Sequence, residues 1–200
     1  MRVWRHWCRR WLPKGSHDEA AGDAGTDALA LLRQADPSLA GLVASRATRA
    51  FAERFGRGFV MRPGAREFVE RAQLAAPLAI VTCATRAETE VMLMLAGLDV
   101  AVTTIISADD GLDAPPSAAP FAQAIAQLSR RRPLQRARVV AIACTSVALR
   151  AARAAGLRTV AIGAPAHIAV DADGAVDSID GLRPEDLGRL AGIPASEHGA

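Results

Sequence analysis

The chain contains no tyrosine, and aromatics make up only 4% of its 200 residues. So few flat rings leave little from which to build a base-stacking surface, and the core falls to Ala, Val, Leu and Ile. Lysine occurs once, at Lys14, so cationic chemistry elsewhere has to come from arginine. No window reaches the roughly 18 uncharged apolar residues of a membrane span, because arginines interrupt each long apolar run. Cysteine is sparse: Cys8, Cys83 and Cys144 are odd in number and stand at no metal-ligand spacing. The start lacks a clean signal-peptide core and cleavage site, so the expected compartment is a reducing cytoplasm.

What is present suits a folded domain. Half of the residues are apolar, enough for one globular unit with room for a small subdomain. The formal charge of +3 is uneven. Arg2, Arg5, Arg9, Arg10 and Lys14 crowd the first segment without an acid, and the rest of the chain is slightly acidic. Arginines after residue 30 alternate with acids and form no basic stripe, which argues against a nucleic-acid partner. The run Arg130, Arg131, Arg132 reads as a solvated helix end, where cations suit the dipole.

Three regions follow from the patterning. Residues 1–26 form a basic, Trp-rich amphipathic helix and a flexible linker: Trp4, Trp7, Cys8 and Trp11 recur at helical spacing before Pro13 and Gly15, and SHDEAAGDAGTD is small and polar. That helix can lie on an anionic membrane, bind a partner, or dock its tryptophans on its own domain, the simplest of the three. Residues 27–60 form a small helical unit, with Leu39, Leu42, Val43, Ala47, Ala50 and Phe51 on one side of its second helix. In residues 61–200 the Arg62-Pro63-Gly64 turn leads to a helix over 65–75 and a buried strand over 77–82. Helix 86–96, strand 101–106, helix 120–130, strand 138–143, helix 146–155 and strand 158–162 follow. A turn at 171–174 and a short final helix from Pro184 close the pattern. Alternation of this kind predicts an α/β class with a Rossmann-like parallel sheet and helices on both faces.

Three consecutive blocks carry a resemblance. RPGAREFVERAQ with PLAIVTCATRAETEVML, IISADD with the loop to PFAQAIAQL, and VVAIACTSVALRAARAAGLRTVAIG resemble the haloacid-dehalogenase superfamily over about residues 38–165. The likeness is to its branch of β-phosphoglucomutase, phosphoglycolate phosphatase and xylulose-bisphosphate phosphatase. It implies that core fold with a helical cap, and a reaction in which an Asp nucleophile attacks phosphorus while a second Asp acts as acid and base. Nothing in the chain resembles the family's Asp-x-Asp-Gly-Thr segment. By the family's spacing it falls near or before Met1, so the first core strand is expected to be missing.

The other motif positions are mostly replaced. The family's strand-end hydroxyl corresponds to Thr82, either a phosphate contact or a cap for the next helix. Arg86 is a second vestigial phosphate-binding candidate, with an exposed first-turn arginine as the plainer reading. Pro115 stands where the resemblance implies a charge-neutralising Lys, and Ala143 and Cys144 stand where it implies Mg²⁺-holding acids. A methyl group has no lone pair and a thiol is a poor Mg²⁺ ligand. Asp109 and Asp110 read as peripheral ligands or, more simply, loop caps. Cys83, Cys144 and His167 follow core strands and allow a reassigned Cys-His pair, or a disulfide if their strands pair directly. The plainer reading is that small buried residues replaced unused acids.

The resulting expectation is a phosphatase-like hydrolase lineage without catalytic residues, metal or cofactor, acting as a binding or regulatory partner. Its ligand would be a protein or a small phosphorylated molecule. The alternative is a Mg²⁺-dependent phosphatase or phosphomutase of small phosphorylated metabolites with a truncated N-terminus. A decayed product without a role is the third reading.

Overall fold

The structure is a computed structural model and describes Asp36, Ser38 and residues 61–113, 117–130 and 133–193. The Trp-rich helix, the linker, nearly all of the 27–60 helical region, and Pro115 lie outside the described residues. The chain divides into two compact units, Met1–Phe59 and Val60–Ala200, and the architecture below belongs to the second.

Helix α1 (Ala65–Ala75) starts from Gly64, whose φ of 73° is left-handed. A Cβ there would sit 2.5 Å from the Asp180 Cα, so both conformation and space call for glycine. Phe68 and Ala72, four residues apart, are its buried side. After β1 (Ala79–Val81) comes α2 (Arg86–Ala96), which opens on a reciprocal cap. The Thr85 side chain accepts from the Glu88 N–H while the Glu88 carboxylate accepts from the Thr85 N–H. Thr89, Leu93 and Ala96 recur along one stripe of α2 and are buried.

Strand β2 (Thr104–Ile106) is followed by α3 (Ala119–Ser129), with Pro120 in its first turn, and by β3 (Val140–Ala143). Next come α4 (Ser146–Ala154), capped by the Thr145 hydroxyl, and β4 (Arg158–Ile162). A short α5 (Ala166–Ala169), β5 (Gly174–Val176) and α6 (Pro184–Leu190) complete the unit. Most boundaries match the sequence reading within two residues. The strand expected to start at 101 starts at Thr104, because Ala101 closes a turn onto the Leu98 carbonyl. The turn expected at 171–174 ends in a strand, since Gly174 pairs with Val160. Only glycine fits there, because a Cβ would strike the Leu190 carbonyl.

Among the described residues all pairings are parallel, and they make two sheets rather than the one the alternation predicts. β1 pairs with β2 from Ala79↔Thr104 to Val81↔Ile106. β3 pairs with β4 from Val140↔Arg158 to Ala143↔Ala161, and β4 with β5. No ladder joins β1 to β3, so the direct pairing considered for a first-strand loss is not formed. Helices span the break instead. α3 packs on β1 and β2, and its Ile125 and Phe121 cluster with Val139, Ala141, Ala152, Ala155 and Leu157. α1 packs on α6, a second tie between the two halves.

Candidate functional site

In a parallel α/β sheet the strand ends that feed helix N-termini form the ligand-binding edge, because loops and free N–H groups converge there. In this chain that edge carries Thr82 and Cys83 after β1, Ser107 to Asp110 after β2, and Ala143 to Ser146 at the end of β3. His167 lies in α5 beyond β4.

Thr82 donates its N–H to the Ile106 carbonyl at 2.9 Å, and its hydroxyl accepts from the Ala84 N–H at 3.1 Å. The hydroxyl thus holds the turn into α2, and Thr85 rather than Thr82 caps that helix. Arg86 is turned toward the β2 loop. Its guanidinium donates to the Ile105 carbonyl at 2.9 Å and to both Asp110 oxygens at 3.2 Å. Asp109 accepts from the Arg86 N–H at 2.7 Å, placing a carboxylate on the positive end of α2.

Asp110 in turn accepts from the Ser107 N–H at 2.7 Å and the Ser107 hydroxyl at 2.9 Å. Those two bonds, joined by Arg86, hold its carboxyl below the ordinary value of 3.8 against a smaller opposing effect of burial. Asp109 and Asp110 therefore act as loop and helix caps in this structure. Spacing alone allowed either reading; their bonds to Arg86 and Ser107 distinguish them.

Cys83 and Cys144 are both exposed free thiols, which corrects the expectation of small buried replacements. They follow β1 and β3, between which no ladder forms among the described residues. Nothing among the described residues links either thiol to His167. Ala143 closes β3 opposite Ala161, and Cys144 follows it. Magnesium prefers six oxygens in near-octahedral array. A methyl, a thiol and two carboxylates already spent on Ser107 and Arg86 do not fit it, and no group of three or more metal-ligating side chains gathers among the described residues.

Sequence reading missed a polar pair on this side of the fold. The Ser146 hydroxyl bonds the Asp171 carboxylate, and Arg153 donates to the Asp171 carbonyl at 3.0 Å. Deeper in the sheet, Asp173 accepts from both the N–H and the hydroxyl of Thr159 at 2.8 Å. Burial raises the Asp173 carboxyl, but the Thr159 bonds, with Arg153 and Arg158 nearby, leave it below 3.8. No motif spacing announces these pairs, because their members lie 25 and 14 residues apart and meet only in the folded chain.

A parallel α/β unit with its polar loops gathered at the strand ends defines the general class, a Rossmann-like fold. The haloacid dehalogenase-like hydrolase family matches residues 11–162, and the chain belongs to it. Among solved structures, a conserved haloacid dehalogenase-like protein of Agrobacterium tumefaciens is 23% identical with a TM-score of 0.66, the match covering 86% of this chain and 81% of that one. CbbY of Rhodobacter sphaeroides, solved with phosphate, is 25% identical with a TM-score of 0.60, over 76% of this chain and 68% of that one. A Thermotoga maritima protein described as a β-phosphoglucomutase is 19% identical with a TM-score of 0.54, over 66% of this chain. The match spans only 60% of that protein's length. Among curated protein sequences none matches. No described helix is long and apolar enough to cross a membrane.

Proposed function

We propose that this chain is a catalytically silent member of the sugar-phosphate phosphatase lineage and serves as a binding or regulatory partner. The observation that carries the reading is the end of β3, where Ala143 and Cys144 offer no hard oxygen ligand at the strand edge. The commitment of Arg86 to Asp110 and Ile105 supports it, since a guanidinium so held is not free to clamp a phosphate. Phosphoryl transfer depends on positioning and charge neutralisation, and these residues supply neither.

The test is turnover of p-nitrophenyl phosphate, sugar phosphates and phosphoglycolate by the purified chain with Mg²⁺. The expected result is no hydrolysis above the buffer rate. Metal-dependent hydrolysis that survives repurification and is lost in Thr82→Ala would instead establish the Mg²⁺-dependent phosphatase reading, which Thr82 at the end of β1 favours.

A further inference from the structure

Parallel pairing puts the starts of the described strands on one side of the unit and their ends on the other. Hydrogen bonds show that the starts make one continuous surface. The Thr103 N–H donates to the Leu78 carbonyl at 2.8 Å, joining the approaches to β2 and β1. The Thr104 hydroxyl donates to Gln127, one turn before the Arg130 that ends α3. Both sheets therefore begin beside the end of α3. The Arg136 guanidinium then reaches the Ala155 carbonyl at 3.5 Å, Arg153 reaches the Asp171 carbonyl at 3.0 Å, and Arg158 pairs with Asp173 at 3.6 Å. The five connections from a helix into a strand thus lie side by side.

Charge and exposed apolar surface converge there. Arg130, Arg136, Arg138 and Arg153 are exposed and Arg158 is half-buried, and no acid stands in the approaches to β3 and β4. Asp99, Asp171 and Asp173 are the acids of the other approaches among the described residues, and Asp173 is already paired with Arg158. The opposite side is acidic, with Asp109, Asp110 and Asp113 after β2 and Asp177 and Asp180 after β5. The fold therefore sorts by sign the charges that the sequence intersperses. Leu74, Val100 and Val170 are the most exposed large apolar side chains described, at 86%, 85% and 77%, with Met94 next at 62%. All three stand on the strand-start side: Leu74 in the last turn of α1, Val100 between α2 and β2, and Val170 between α5 and β5.

We infer that this side of the unit seats on the surface of an anionic phospholipid bilayer. The arginines meet headgroup phosphates, which a guanidinium can bond through two N–H groups at once, and the three aliphatic tips enter the boundary with the acyl chains. Attraction of basic groups to an anionic leaflet supplies the charge term. Tips on separate connections suit a fluid apolar medium, whereas a protein partner favours a contiguous packed centre. No Phe, Tyr or Trp stands among the described residues of these connections to stack on a base, which disfavours a single-stranded nucleic acid. The inference goes beyond the silent role proposed above and is independent of it, because it uses the side of the sheet away from Ala143 and Cys144.

The test is flotation of the full chain with vesicles of phosphatidylcholine alone and with vesicles of equal parts phosphatidylcholine and phosphatidylglycerol. The chain should float with the anionic vesicles only, and high salt should release it. Arg130→Glu with Arg136→Glu should weaken partition by about tenfold or more, while Arg130→Lys with Arg136→Lys should keep most of it. Val100→Asp and Val170→Asp should each weaken it by about threefold or more. Leu112→Asp, on the strand-end side, should leave it unchanged. Each substituted side chain is exposed, so far-ultraviolet spectra should match the parent, and the valine variants decide the matter if the arginine variant does not fold. No flotation, or equal flotation with neutral vesicles, would overturn the inference. So would flotation that survives both sets of variants, which would move the contact to the basic segment 2–14. Retention by single-stranded RNA without flotation would give the surface to nucleic acid and overturn the lipid assignment.

Discussion

β3 and β4 are neighbours with nearly the same composition, yet they live in different environments. Val140 to Ala143 and Thr159 to Ile162 are both short, mostly apolar runs in one parallel ladder. Thr159 to Ile162 are buried throughout, with Val160 and Ala161 at 0% exposure, while Ile142 is 41% exposed. The difference is one of position. Among the described residues β4 has a strand on each side, and β3 pairs with a strand on one side only. Apolar sequence makes a strand eligible for the interior, and two neighbours are what put it there.

Substitutions can sharpen or break this contrast. The largest effect should come from Leu149→Ala in α4, a fully buried side chain packed over the β3–β4 pair. Its loss should cost about 2–5 kcal/mol in urea or guanidinium unfolding. Val160→Ala in β4 follows at about 2 kcal/mol, from two lost methylene equivalents and the cavity they leave. Ile142→Ala in β3 removes more atoms, yet it should cost about 1 kcal/mol or less because that side chain is already partly solvated. If Ile142→Ala proves as costly as Val160→Ala, the two strands are equally enclosed and the contrast fails.

A cap and a charge give smaller effects. Thr85→Ala removes one half of the reciprocal cap on α2 and should cost about 1 kcal/mol, while Thr85→Ser should restore most of it. Asp110 and Asp173 both titrate below the ordinary 3.8 in the folded chain. For depressed carboxyls the stabilisation is full above the unfolded value and is lost as pH falls through the folded one. Unfolding midpoints should therefore hold above about pH 5 and decline below about pH 4. Asp110→Asn should make that decline shallower, and an unchanged acid slope would show that its bonds to Ser107 and Arg86 do not favour the charged form.

The site was legible in proportion to how local its chemistry is. Glu88 three residues after Thr85 announces a cap, and Arg62-Pro63-Gly64 announces a turn, because each is settled within a few residues. Arg86 carried two readings in sequence, and only Asp110, 24 residues further on, draws its guanidinium toward the β2 loop. Cys83 and Cys144 read as small interior residues because the runs before them are apolar. Both are exposed, and whether a loop residue at a strand end is covered depends on tertiary neighbours that no local pattern encodes.

By itself the sequence determined the alternation of helices and strands, the parallel α/β class and the family. These depend on period, turn chemistry and residue identity, all readable along the chain. Tertiary structure alone decided that the described strands divide into a pair and a triplet and that Asp109 and Asp110 serve as caps. Pairing partners come from distant parts of the chain, and a strand's own residues do not say whether its second side will be occupied.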